Sequence, residues 1–295
     1  MSTVDPIVAR RAKRLSRAGR PGLLVGAIIA GVAQLGAALC TGLAIGSIVD
    51  LLRDGLINSV FADNEPGTKG FLGLGTIPVL FIVGTFGLIV AAATAHYLLD
   101  LYRGGEKQLM LRTPAVLWAV ALGLFLDSRS WTDPLAVGTA VDPVFHEDDD
   151  TWGTFTWVMY RADIWLPVLA VVIAALTTVY AIRHNRRLST QIADRNRLLA
   201  AGRTVTGTIT NIDVRTSQND QGHRSVVGAD VIVKFTDLQG TDRWVTRRTT
   251  NRSEIPTATT ATQVLFDPLH PEDDNLIFVA FYADPRPGDW IGTIA

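Results

Sequence analysis

The sequence predicts an α-helical membrane protein of four transmembrane helices carrying a small C-terminal antiparallel β-barrel-like domain. Three observations predict it. The chain has 295 residues, 48% of them apolar and only 19% charged, and the apolar excess is gathered into a few long blocks. Arginine and lysine alternate between the segments that join those blocks. After Gly202 the blocks give way to β-branched residues and turn signals. The net charge of −1 conceals this segregation, so the overall balance says nothing about acidic or basic partners.

Residues 23–52 carry no charge before Asp50 and exceed the ~20 residues a helix needs to cross a ~30 Å hydrocarbon core. Residues 71–99 form a second block with small residues at Gly84, Gly87 and Ala91, ending before Asp100. The third block, 109–126, approaches membrane thickness only by including Leu109, Met110 and a snorkelling Arg112. Residues 164–182 are apolar throughout, with Pro167 in the first turn where its missing N–H costs little. The first block is longer than the hydrophobic region of a secretory signal and has no small-residue cleavage site, so it is expected to be retained.

Basic residues near span ends stay on the cytoplasmic side. Arg10, Arg11, Lys13, Arg14, Arg17 and Arg20 lie in an N-terminal arm, residues 1–21. Arg103, Lys107 and Arg112 lie between the second and third spans; Arg183, Arg186, Arg187, Arg195, Arg197 and Arg203 follow the fourth. The other connections carry Arg53 and Lys69, then Arg129 and Arg161, and the longer of them, 127–163, holds the acidic run Glu147 to Asp150. Four crossings of a cell membrane by residues 22–183, with both termini cytoplasmic, satisfy every segment.

Residues 184–202 lack Pro and Gly until their last position and read as a helical connector; residues 203–295 read as a cytoplasmic β-rich domain. Its strand candidates are 204–214, 226–236, 244–249, 262–267 and 275–282. In the first, Val205 and Ile209 share one parity and Ile212 and Val214 the other, which predicts a bulge near Thr210 and Asn211. In the second, Ala229, Val231, Val233 and Phe235 fall on one face, and Asp237-Leu238-Gln239-Gly240 supplies a turn. The start Gly202-Arg203-x-Val205-x-Gly207, the strand Val231-x-Val233-x-Phe235-Thr236-Asp237 with Gly240, and Val264-Leu265-Phe266-Asp267-Pro268-x-x-Pro271 resemble bacterial domain-of-unknown-function family 3592. The resemblance covers the last third of the chain and implies a membrane-anchored β module, with no activity and no catalytic residues to carry over. The chain departs from the family pattern at Thr260-Ala261-Thr262-Gln263, where a Gly-acidic turn is frequent, and at Phe266, where Tyr is frequent.

Intramembrane polar residues are the natural candidates for a site. Gln34 lies deep in the first span, Thr85 and Thr94 in the second could meet it, and His96 and Asp100 share a helix face four residues apart near Arg103. Such residues serve either inter-helix hydrogen bonding or a polar path. His146-Glu147-Asp148-Asp149-Asp150 reads as a solvated loop, because adjacent acidic residues rarely converge on one ion. Gly42-x-x-x-Gly46 marks close helix packing. A single cysteine, Cys40, excludes an intrachain disulfide.

No phosphate loop, nucleophile elbow, paired-histidine zinc motif or dinucleotide fingerprint occurs, so no catalytic residue, cofactor or metal is expected. From Thr204 onward acidic residues outnumber basic ones, which argues against nucleic acid. The sequence therefore leads to a non-enzymatic integral membrane protein whose partners are the lipid bilayer and a protein, another chain or itself. The alternative is a transporter or channel component with a polar path through Gln34, Thr85, His96 and Asp100.

Overall fold

The computed structural model describes residues 12, 16–58, 77–104, 110–141, 150–218, 222–249 and 255–293. The chain divides into two compact units, one of residues 19–102 and 110–183 and one that contains everything from residue 184 onward.

In the helical unit α1 spans Pro21–Ile57, α2 Ile77–Arg103, α3 Arg112–Ser128 and the short α4 Thr154–Tyr160. Helix α5, Ala162–Ala201, gives its first part to this unit and the remainder to the other. Pro21 occupies the first turn of α1, where a missing N–H breaks no helical bond. Three helices among the described residues are long and apolar enough to cross a membrane: Pro21–Ile57, Pro78–Arg103 and Ala162–Ala201. Their outward faces are apolar, with Phe86, Val90 and Leu176 each more than 60% exposed, a surface that water does not tolerate at this density.

The expected third span, 109–126, is corrected to a 17-residue helix, α3, which leaves three long spans among the described residues. At 1.5 Å per residue it reaches about 25 Å. Pro114 explains its start: without an N–H it cannot bond the carbonyl of Met110, and Met110 and Leu111 stay outside the helix.

Glycines set the crossing of α1 and α3. A Cβ on Gly42 would run into the Val120 carbonyl, and one on Gly123 into the Leu39 carbonyl, so each backbone lies directly on the other. Gly46 faces the Asp127 side chain in the same way. Positions rise together along both helices, so α1 and α3 are parallel. Gly26 faces Leu98, Gly87 faces Ala37 and Gly84 faces Thr41, which makes α2 antiparallel to α1. The Trp118 indole donates to Thr178 Oγ1, and Leu124 clusters with Leu166 and Ala170, which makes α5 antiparallel to α3. Gly123→Leu is expected to lower unfolding stability in detergent by about 1–3 kcal/mol, since the obstructing atoms are backbone. Gly36→Ala, with open space beside it, is the neutral control; equal thermal midpoints for the two would refute this packing.

The second unit is one antiparallel sheet in the order β5-β4-β3-β6-β7, from β3 Arg203–Gln218, β4 Arg224–Thr236, β5 Asp242–Thr249, β6 Thr262–Phe266 and β7 Phe278–Ala280. A separate two-residue pair, β1 Thr139–Ala140 and β2 Asp150–Thr151, belongs to the helical unit. The register of β3 on β4 skips Thr210, between Ile209↔Val233 and Asn211↔Ile232, where the parity switch predicts a bulge. That extra residue turns Ile209 and Ile212 toward the same core, with Val231, Val233, Phe235, Val264 and Phe266. Strands β6 and β7 are buried on both faces, and Leu198 of α5 covers the second face with Leu265, Phe278 and Trp290.

The turn between β4 and β5 follows from its residues. Asp237 accepts from the amides of Gln239 and Thr241, and Gly240 takes φ +81. The Arg243 guanidinium, donating at 2.8 Å, holds the Asp237 carboxyl below the usual range.

The sheet is a curled half-barrel, the partly open form of the barrel-like domain expected, since β5 and β7 lie at its two edges without pairing with each other. One expectation is corrected: the last strand is shorter than 275–282, because the Asp273 carboxylate caps a 3-10 turn at Asp274–Leu276. Arg247 of β5 spans the open side. Its Nη2 donates to the Asp274 and Ile277 carbonyls at 2.9 and 2.7 Å, and its Nη1 meets the Asp274 carboxylate at 2.9 Å. Burial pulls this guanidinium below its ordinary pKa, and Asp274 opposes the shift.

Candidate functional site

The four intramembrane candidates occupy different environments. Gln34 is buried in α1, Thr85 and Asp100 are half-buried in α2, and His96 is exposed. Among the described residues no hydrogen bond joins Gln34 to Thr85 or Thr94, and neither a hydrogen bond nor an ion pair joins His96 to Asp100. The run from His146 to Asp149 lies outside the described residues. The described residues contain no group of three His, Cys, Asp or Glu side chains placed to hold a metal ion.

The polar residues that do converge sit at the C-terminal ends of α1 and α3. Asp50 accepts from the Thr132 amide at 3.0 Å and the Thr132 hydroxyl at 3.3 Å. One turn on, Arg53 reaches Asp50 at 3.4 Å, donates to the Thr132 carbonyl, and donates twice to the Tyr160 carbonyl at 3.3 and 3.4 Å. Its guanidinium also lies 5.8 Å from the Trp131 ring centroid. Asp127 accepts from Ser47 Oγ at 2.8 Å and from Trp131 Nε1 at 2.9 Å.

A further layer closes the end of α1. Asn58 donates to Asp54 and to the Asp133 carbonyl and accepts from the Leu135 amide at 2.7 Å. Trp152 Nε1 donates to the Ile57 carbonyl, one of the terminal carbonyls that α1 leaves without an intrahelical partner. The Trp152 ring stands edge-on to Trp157 at 5.1 Å and beside Tyr160 at 5.2 Å.

Chemically this arrangement is a lock. Its charged and amide groups are engaged by neighbouring side chains or backbone, which fixes the segment after α3 and the C-terminal end of α4 to the end of α1. Sequence reasoning ended the first span at Leu52 and counted Arg53 as a loop charge, so it missed Asp50, Arg53, Asn58 and Asp127 as a set. The available signal was helical spacing: Asp50, Arg53, Asp54 and Asn58 recur at three and four residues.

The outer face of the β unit carries a different pattern. Asp230 accepts from Arg248 at 2.8 Å and pairs with Arg215 at 3.7 Å, which ties β3, β4 and β5 together. Lys234 pairs with Asp242 and lies 5.4 Å from the Trp244 ring. Hydrogen bonds from Arg248 and Lys234 hold the Asp230 and Asp242 carboxyls below their usual range. These pairs are solvated, so their contribution is specificity of strand register more than stability.

Comparison with family models, with curated proteins and with solved structures gives no match. The class is therefore defined by the elements themselves: a protein of several long apolar helices, able to cross a membrane, joined to a curled antiparallel β unit.

Proposed function

We propose that the chain is a multi-pass membrane scaffold that crosses four times, keeps both termini in the cytoplasm, and presents its β unit there for protein contacts or assembly. The observation that carries this reading is the β unit itself. It has hydrophobic clusters on both faces of its sheet and is borne on α5, whose first part is one of the long apolar helices. The parallel run of α1 and α3 supports the even number of crossings, with short α3 held by glycine contacts to its neighbour. The resemblance of residues 202–271 to domain-of-unknown-function family 3592 points the same way. The separate placement of buried Gln34 and exposed His96 favours this reading over a polar transport path.

The test uses the full chain with Cys40→Ala, which leaves no cysteine. Thr139→Cys is expected to react with a membrane-impermeant maleimide on intact cells, and Ser217→Cys only after permeabilisation; the opposite pattern overturns the orientation. Light scattering on gently solubilised protein should return more than one copy or a partner in fixed ratio. A single copy alone overturns the assembly role.

A further inference from the structure

Strand β3 pairs with β6 only over residues 203–207 and with β4 over residues 208–218. Beyond Gly207 its other edge therefore has no strand partner among the described residues. Over residues 208–218 the backbone donors and acceptors of alternate residues, those that point away from β4, are open there, and Asp213, Val214, Arg215 and Thr216 are all exposed. Natural sheets usually blunt such an edge with like charges or proline. Here the charges alternate in sign around an apolar centre, Asp213-Val214-Arg215.

We infer that this edge is the docking site for a second copy of the same strand, so that two β units join in one antiparallel sheet around a twofold axis at Val214. The inference rests on the scaffold reading above and deepens it by naming the partner. Directly opposed residues in an antiparallel pair share a face. Centring the pair on Val214 sets Val214 against Val214, Ile212 against Thr216, and Asp213 of each copy against Arg215 of the other. Centring it on Asp213 or Arg215 instead opposes like charges at the axis. The charge pattern thus selects one register and is complementary only to itself, as an isologous interface requires. The β3–β4 irregularity near Arg215 places its extra residue, Val227, on β4, so β3 runs without interruption from Asn211 to Gln218. Main-chain pairing supplies the association and the alternating side chains supply its specificity.

The full chain in membranes, carrying Cys40→Ala and Val214→Cys, is expected to form a disulfide-linked dimer on mild oxidation. Asp213→Arg places arginine against Arg215 of the other copy and should weaken self-association by about tenfold. The double change Asp213→Arg with Arg215→Asp restores the complementary pattern and should return it to within about twofold of the parent. The double variant keeps its fold, because residue 213 lies opposite Asp230, which retains a cationic neighbour. Unchanged hydrogen exchange at Val231 and Val233 verifies this. A dimer by light scattering with no cross-link at residue 214, or one indifferent to Asp213→Arg, overturns this interface and leaves the scaffold reading standing. A single copy bound in fixed ratio to another protein also overturns the interface alone. A single copy with no partner overturns both.

Discussion

Arg53→Ala lowers the unfolding free energy of the helical unit by about 3–5 kcal/mol, the cost of breaking one partner out of a buried ion pair. The side chain of Arg53 is 5% exposed, and its removal leaves Asp50 without a cation and the Thr132 and Tyr160 carbonyls without their donors. Arg53→Lys recovers only part of the loss, because a single ammonium cannot span acceptors held by a planar five-donor fork. The measurement is thermal or denaturant unfolding in detergent followed by tryptophan fluorescence, since Trp131 stacks near Arg53 and Trp152 caps the end of α1. A midpoint unchanged from the parent would show that the lock has no energetic role.

Arg247→Ala produces a loss of about 3–5 kcal/mol in the β unit, here from carbonyls left without donors and from lost packing. The Arg247 side chain is 1% exposed while Asp274 is 61% exposed. The damage therefore lies with the two carbonyls, of Asp274 and Ile277, that lose buried donors and with the space left beside them. Asp274→Asn should then cost less than about 1 kcal/mol, as for an exposed partner. Hydrogen exchange in the full chain reads the difference: amides of β5 and of residues 277–279 lose protection in Arg247→Ala and keep it in Asp274→Asn. Equal effects from the two variants would show that charge pairing, and not the carbonyl bridge, holds the open side.

The legible and illegible parts of this chain divide along the range of the interactions. Apolar length alone marks α1, α2 and α5, because crossing a bilayer constrains every residue of a span. Strand parity finds the bulge at Thr210 and the buried face of β4, because both follow from a period of two. The start of α3 is legible too, since Pro114 marks it, although apolar length alone extends the block back to Leu109. The lock around Arg53 was not legible in this way. Arg53 bonds the carbonyls of Thr132 and Tyr160, 79 and 107 residues away, and Asp50 accepts from the Thr132 amide 82 residues away; backbone groups carry no mark in the sequence. Arg247 escaped for the same reason: its key acceptors are carbonyls beyond β6. The alternation of Val245, Arg247 and Thr249 toward the buried face marks the strand but not the acceptors that Arg247 meets.

The backbone-on-backbone meeting of Gly42 and Gly123 has a mechanical consequence. Ordinary helix pairs are cushioned by flexible side chains and tolerate small sliding motions. Here nothing compressible lies between the two main chains, and a shift by one position would bring Leu43 or Leu124 to the contact in place of glycine. The first and third helices are thereby fixed as one stiff pillar on which the rest of the helical unit is assembled.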